Sequence, residues 1–427
     1  MIKFLLPLIF FIFIGCVPKQ IEKIDCQCDE TVEIKKSEES KKSEESKKSE
    51  ESKKSEECNV VEVKEKSEEN IVPFSQLKQS EWYEIDFILK SDNIKDSWPA
   101  WQKSCSTLIN QKQWKKVCSI ANLIEDPSSE EVIEFFKTNF TLYKSWKDDG
   151  TDYGLITGYY QPILNGNREK TKKYSTPIYK TPEDLITVDL SELYPEMKYK
   201  RLRGKVEGNK LLPYFSREQI SSSENILKGN ELFWVDNAVE AFFLEIQGSG
   251  IIKFEDGSQI PIGYADQNGH PYRSMGRALI NAGELTKDNA SMQGIKSWAN
   301  KNKKKLKKFL DKNPSFVFFR ELDNGLDGPI GAQGVPITAE RSIAIDRRYV
   351  PIGSPVFLAT TFPNSNESLN RLVIAQDTGG AIRGPIRADY YWGAGPEAGK
   401  KAGAMKQQGN IWVMLPKEFK INKKKEQ

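Results

Sequence analysis

Apolar positions divide the chain into stretches with different periods. Phe4 to Ile14 is an eleven-residue apolar run behind Met1-Ile2-Lys3. It falls short of the ~20 residues that cross a bilayer, and the basic flank marks it as a secretory signal. Residues 35–57 hold no apolar side chain: KKSEES repeats with period six, using eight Lys and eight Glu. Six residues turn a helix by ~600°, so no face stays constant and nothing can be buried. This is a solvated tether, disordered or a transient single helix laced by pairs such as Glu38 with Lys42. From Trp82 to about Trp146 apolar residues recur at helical spacing, as in Val132, Phe135, Phe136 and Phe140, which predicts mainly α structure. Beyond Tyr153, short apolar runs bounded by Gly, Pro, Asn and Asp predict strands at barrel or sandwich spacing. Gly154 to Tyr160, Ala241 to Ile246 and Leu372 to Ala375 are examples, with Gly248 and Gly250 as a tight turn between strands. Two helical patches interrupt them: Met275, Ala278, Leu279 and Ile280 after Arg273, then Ile295 through Trp298, Leu306, Phe309 and Leu310.

A length of 427 residues allows two or three domains. All nine Trp lie between Trp82 and Trp412, so the folded body begins near residue 70. Lys and Arg number 63 against 60 Asp and Glu, and the tail after Pro416 alone holds five Lys and two Glu. The rest is balanced, which disfavours a nucleic-acid partner. The single histidine, His270, excludes a two-His metal site. No glycine-rich phosphate cradle is present. Seven Lys between Lys301 and Lys312 form a solvated face opposite an apolar stripe, or a site for an anionic polymer or lipid.

The signal ends Phe13-Ile14-Gly15-Cys16, which resembles the bacterial lipobox, where the Cys is lipidated and becomes the first mature residue. Multiple acyl chains would then give stable anchoring. From Cys16 to about residue 70 a flexible chain spans roughly 40 Å on average. Export permits disulfides, and Cys105 with Cys118 is the candidate pair, with both the bridged and the free state open. Cys26-Gln27-Cys28 lacks the spacing of a zinc site.

Carboxylates are left to carry chemistry. The densest candidate runs from Gln376 to Gly393: Asp377 ends an apolar strand and opens a glycine loop, and Asp389 precedes Tyr390, Tyr391 and Trp392. Apolar walls and a second carboxylate raise a carboxyl pKa, whereas Arg383 and Arg387 would pull the other way. Either Asp can equally be a turn residue or cap. Tyr159, Tyr160, Tyr272, Tyr390, Tyr391 and Trp392 suit stacking on sugar rings, and Gln161, Gln247, Ser249 and Arg273 suit hydroxyls and acetamides. Glu397, after Pro396, reads as a first-turn carboxylate of a helix, and Asp346 as a strand-to-turn residue.

Five blocks, Gly158 to Pro162, Phe243 to Gly250, Asn268 to Gly276, Asn313 to Phe319 and Gln376 to Gly399, resemble in order and spacing the membrane-bound lytic murein transglycosylase A family. The resemblance spans roughly residues 150 to 415, and the repeat tether is extra to it. It implies a mainly β fold with an α-helical amino-terminal part: a double-psi β-barrel domain plus an inserted smaller β domain. The expected division is 1–15 signal peptide, 16–70 lipidated tether, 71–158 and 325–416 barrel domain with helices, 159–324 inserted β domain, and 417–427 basic tail. By motif position Asp389 matches the family's single catalytic acid and base, and Asp377 its supporting aspartate, with Asp346 the third of the segment. Tyr159, Gln247, Ser249, His270, Tyr272 and Arg273 are the implied substrate-binding residues. The implied partners are peptidoglycan glycan strands and, through the lipid at Cys16, a membrane; no metal or cofactor is called for. Val17 after the lipidated Cys favours the outer membrane, facing the periplasm. An inverting hydrolase using both aspartates, and a barrel that binds glycan without cutting it, are the alternatives.

Overall fold

The computed structural model describes residues 73–421, apart from 201, 223 and 225. The signal, Cys16, the KKSEES tether and residues 422–427 of the basic tail lie outside the described residues.

Six strands close into a barrel. In spatial order they are Lys406–Pro416, Pro355–Thr361, Ser368–Thr378, Ser342–Ile345, Arg387–Ala394 and Gly154–Gln161, and the last pairs back with the first. Four of the six contacts are antiparallel. Two are parallel, Ser342–Ile345 with Ser368–Thr378 and Gly154–Gln161 with Arg387–Ala394. This is the double-psi β-barrel. Strand Phe140–Ser145 extends it along Lys406–Pro416, so Phe140 opens a strand rather than closing a helix. The helices Trp98–Leu108, Lys115–Ala121 and Ser129–Asn139 precede that strand, as their apolar spacing predicts. Their aromatic residues meet edge-on, for example Trp98 with Phe135 at 4.9 Å and Trp101 with Phe140 at 5.7 Å. They share one core with the barrel residues Ile343, Val373, Tyr390 and Val413.

A second sheet, ordered Val317–Glu321, Gln259–Gln267, Ser249–Lys253, Ile163–Asn167, Glu231–Val235 and Thr176–Tyr179, has its own core around Leu164, Phe233, Ile252 and Phe319. A small three-stranded sheet, Ile186–Val188, Leu202–Glu207 and Lys210–Pro213, accompanies it. Ala241 to Ile246, expected as a strand, is instead part of the helix Ala238–Gln247. The Asn237 side chain caps it by accepting the N–H groups of Val239 and Glu240. Val239, Ala241, Phe242, Phe243 and Leu244 are all buried, and such a continuous apolar run looks the same whether it folds as a buried strand or a buried helix. Gly248, with φ of 79°, terminates this helix in the left-handed region and does not join two strands.

The lysine-rich stretch forms helices Met292–Lys301 and Lys303–Leu310, with Phe309 buried against Trp298. Lys305 pairs with Glu284, and Lys307 with Asp311. Glu397 stands exposed in the first turn of helix Gly395–Ala404, paired with Lys400 at 2.7 Å.

Cys105 and Cys118 are bridged, with Cα atoms 5.1 Å apart, and both are fully buried in the main core. The bridge joins two helices across a sequence separation of 13. Such a loop contributes about 3 kcal/mol through the unfolded state. The double variant Cys105→Ala/Cys118→Ala should therefore unfold at a clearly lower temperature than wild type in calorimetry. An unchanged transition would show that the bridge stabilises nothing.

Candidate active site

Alternation along the barrel strands sorts their residues into two sets. Ile156, Ile343, Ile345, Ala388 and Tyr390 go to the main core. Tyr159, Ala344 and Tyr391, at the intervening positions, form a separate small cluster with Ile337 and Ile382. Thr157 and Asp389 share that second face by parity. Ala344 pairs with Asp377 on one side and Asp389 on the other, so strand register brings the two aspartates to one level of the sheet. Two strand spacings, about 9.6 Å, separate their backbones. Gly158 lets this wall pack tightly, since an added Cβ would stand 2.6 Å from Trp392 Nε1.

The three aspartates have different neighbours. Asp346 is buried, and Arg348 donates to it at 2.7 and 2.9 Å while the Gly384 N–H donates at 2.9 Å. Burial alone would raise its pKa, but these donors outweigh it and hold the carboxyl below its ordinary value. Asp377 is half-buried and accepts the N–H groups of Thr378 and Ala332 at 2.8 and 3.0 Å. Desolvation still pushes its pKa up, helped by the nearby charge of Asp389. Asp389 accepts one side-chain hydrogen bond, from the Thr157 hydroxyl. Desolvation raises its pKa too, against the opposing pull of Arg387 and Thr157. The guanidinium of Arg387 donates to the carbonyls of Ala388 at 2.6 Å and Leu155 at 3.4 Å. Tyr159 is buried with its ring 5.1 Å from that of Tyr391, and its hydroxyl lies towards the carboxyl of Asp377. Burial, with Asp377 and Asp389 close by, pushes that hydroxyl far above its usual pKa.

A cleft of about 780 Å³ opens beside this wall. Asp377, Gln247, Ser249 and Tyr272 line it, and the Gln247 side chain accepts the Tyr160 N–H at 3.0 Å. Asp389 and Tyr159 are not among the lining residues, and neither are His270 and Arg273. His270 Nε2 lies 2.7 Å from the Tyr214 carbonyl, and the Arg273 backbone N–H donates to Asn313. The first contact ties the His270 loop to Tyr214, and the second involves only the backbone of Arg273, whose side chain is exposed.

Sequence reading missed Thr157, Arg217 and Glu245. Thr157 stands two positions before Tyr159 in one strand, so period two gives it the same face but not its partner. Arg217 forms two bonds to Glu245, at 2.7 and 2.8 Å, and also donates to the carbonyls of Asn313 and Ser315. Glu245 in addition accepts the Val317 N–H at 2.9 Å. A carboxylate inside an otherwise apolar helical run was the available signal. Among the described residues no group of three or more His, Cys, Asp or Glu is placed to hold a metal ion.

A double-psi barrel and a second β sheet thus carry two desolvated carboxyl groups, one of them in the lining of a polar cleft. A family model described as the MltA specific insert domain matches residues 155–320, and the 3D domain model matches 341–415. Membrane-bound lytic murein transglycosylase A of Escherichia coli K12 is 34% identical over 281 residues, 63% of this chain and 68% of that protein. MltA from Neisseria gonorrhoeae superposes with a TM-score of 0.68 at 38% identity, covering 79% of this chain and 91% of that one. E. coli MltA with bound chitohexaose superposes with a TM-score of 0.60 at 25% identity, covering 81% and 95%. The chain thus belongs to the membrane-bound lytic murein transglycosylase A family.

The Arg217–Glu245 pair is almost wholly shielded, with side-chain exposures of 6% and 9%. Removing one partner strands the other charge, at a cost of about 3–5 kcal/mol. Arg217→Ala should therefore lose that much stability in denaturant unfolding. A loss below about 1 kcal/mol would show that the pair does not hold the cleft wall.

Proposed function

We propose that this protein cleaves the β-1,4 bond between N-acetylmuramic acid and N-acetylglucosamine of peptidoglycan without water, leaving 1,6-anhydromuramyl ends. Asp389 serves first as acid, then as base. The observation that carries this reading is the state of its carboxyl group: half-buried, bonded by one hydroxyl, desolvated towards the protonated form, and in no ion pair among the described residues. The relative crystallised with chitohexaose supports glycan as the ligand of the cleft.

Protonated Asp389 donates its proton to the glycosidic oxygen, the C1–O bond breaks, and an oxocarbenium-like centre forms at C1 of the muramyl ring. The muramyl acetamide stabilises that centre from within the substrate. The carboxylate so formed takes the proton of the ring's 6-hydroxyl, whose oxygen closes on C1. Protons balance, and no water is consumed. Thr157 orients the carboxyl. Asp377, held by two backbone N–H groups, supports the site from the cleft wall, with Gln247, Ser249 and Tyr272 contacting the glycan. His270 acts through the loop it braces. Residues 71–158 and 325–416 are the barrel domain in this reading and 159–324 the insert, except that Tyr159 to Gln161 complete the barrel strand Gly154–Gln161.

A second reading draws on the place of Asp377, rather than Asp389, in the cleft lining: an inverting hydrolase would use both carboxyl groups with a water between them, ~6.5–9.5 Å apart. Products decide. Mass spectrometry of digested sacculi should give anhydro ends without new reducing ends, whereas reducing ends would establish hydrolysis. For attachment, no helix among the described residues is long and apolar enough to cross a membrane, and the curated relatives are named membrane-bound. We assign anchoring to lipid on Cys16, in the outer membrane facing the periplasm.

Asp389→Asn should lower muropeptide release by at least about 10²-fold, the scale of general acid catalysis. Its melting temperature at neutral pH should not fall. A carboxyl whose pKa is raised on folding stabilises fully below its unfolded pKa and loses that contribution as pH rises through the folded value, a loss that the non-ionising Asn does not suffer. Retained activity would remove Asp389 from the mechanism.

The same sign sets the pH profile. Activity should decline as pH rises through the Asp389 pKa, and Thr157→Val, which deletes a bond favouring the ion, should move that descending limb to higher pH. A limb moving the other way would contradict the assignment.

A further inference from the structure

The cleft carries charge that a neutral sugar chain does not use. Eight cationic side chains line it against four carboxylates, in a chain whose overall balance is 63 to 60. Three of the eight are committed within the protein: Arg217 to Glu245, Arg348 to Asp346 and Arg203 to Asp266. Of the opposing carboxylates, Asp189 accepts the Ser191 N–H. Lys198, Arg320 and Arg347 are exposed in the cleft lining.

Their placement is specific. Arg347 follows the barrel strand Ser342–Ile345, whereas Lys198 and Tyr199 lie between the second sheet's strands Thr176–Tyr179 and Glu231–Val235. The Arg347 guanidinium lies 5.2 Å from the centre of the Tyr199 ring, and Lys198 Nζ 5.9 Å from it. Arg348, pinned on Asp346, fixes the backbone next to Arg347. A guanidinium over an aromatic ring keeps its N–H edge available for bidentate contact with a carboxylate. The muramyl unit of peptidoglycan carries a short peptide on its lactyl carboxyl, and that peptide holds several free carboxylates; without the peptide only the lactyl carboxylate, close to the ring, remains.

We infer that Arg347, with Lys198 beside it on the Tyr199 ring and with Arg320, forms a subsite for the peptide carboxylates of the muramyl units, so that the protein prefers peptide-bearing glycan to stripped strands. This rests on the peptidoglycan reading above and deepens it.

The test compares glycan strands bearing their peptides with the same strands stripped by an amidase, which keep a single lactyl carboxylate on each muramyl unit. Full-length wild type should show a kcat/KM ratio of about tenfold in favour of the peptide-bearing form, carried by KM and shrinking as salt rises. In Arg347→Gln and Arg320→Gln, at unchanged melting temperature, the ratio should fall towards one. Sedimentation binding to the two forms is measured in parallel with Asp389→Asn, which reads the preference without bond cleavage. Equal binding of both forms, or a ratio untouched in Arg347→Gln, overturns the subsite and leaves the transglycosylase reading standing. Preferential binding with no anhydro product from wild type supports the subsite and overturns the chemistry instead.

Discussion

The desolvation of a carboxyl group beside Ala344 is the constraint on which the site depends. Three aspartates stand near one strand end, and their surroundings separate them. Asp346 meets a guanidinium and a backbone N–H and stays ionised. Asp377 meets two backbone N–H groups, which favour the ion but do not overcome burial. Asp389 is left with a hydroxyl, the weakest partner of the three for a carboxylate, and Arg387 acts on it while bonded to backbone carbonyls. Environment rather than residue type thus selects the group best able to hold and return a proton.

The level at which these groups meet is fixed from behind. Gln376, next to Asp377, accepts from Ser342 and donates to the Ala100 carbonyl at 2.9 Å, so a helix of the amino-terminal part braces the strand end. Arg341, at the start of the central strand, is paired with the buried Asp92 at 2.7 Å, and Asp92 also accepts the Leu372 N–H at 2.8 Å. A shift of one residue in the central strand would carry Ala344 to the opposite face and set a large isoleucine between the two carboxyl groups in its place. The helices therefore serve the site although they contribute nothing to its surface.

Much of this was legible in the sequence. The 3.6-residue spacing around Val132 and Phe135 gave helices, and Asp377 and Asp389 stood out as carboxylates among glycines and aromatics. Thr157 did not, because a threonine in a strand is ordinary until a parallel partner 232 positions away puts a carboxylate beside it. The helix at Ala238–Gln247 was hidden for a different reason: Ala241 to Leu244 are four consecutive buried apolar residues, a run that shows no helical period in a short window. Parallel pairing and the Arg217–Glu245 contact are likewise set by distant chain segments, which no local window contains.

How the insert meets the barrel follows from one short joint. Gly154–Gln161 belongs to the barrel and Ile163–Asn167 to the second sheet, with Pro162 alone between them. Proline has no N–H to continue a ladder, and its fixed φ limits the swing at this point. Its carbonyl accepts the Ile251 N–H at 2.8 Å, so the joint is tied at once into the insert's sheet. Gln247 closes a second tie by accepting the Tyr160 N–H on the barrel side. The strand that carries Thr157 and Tyr159 thus continues almost directly into the insert. The barrel strand beside Asp389 and the insert's sheet are therefore tied at two neighbouring points, Pro162 and Tyr160.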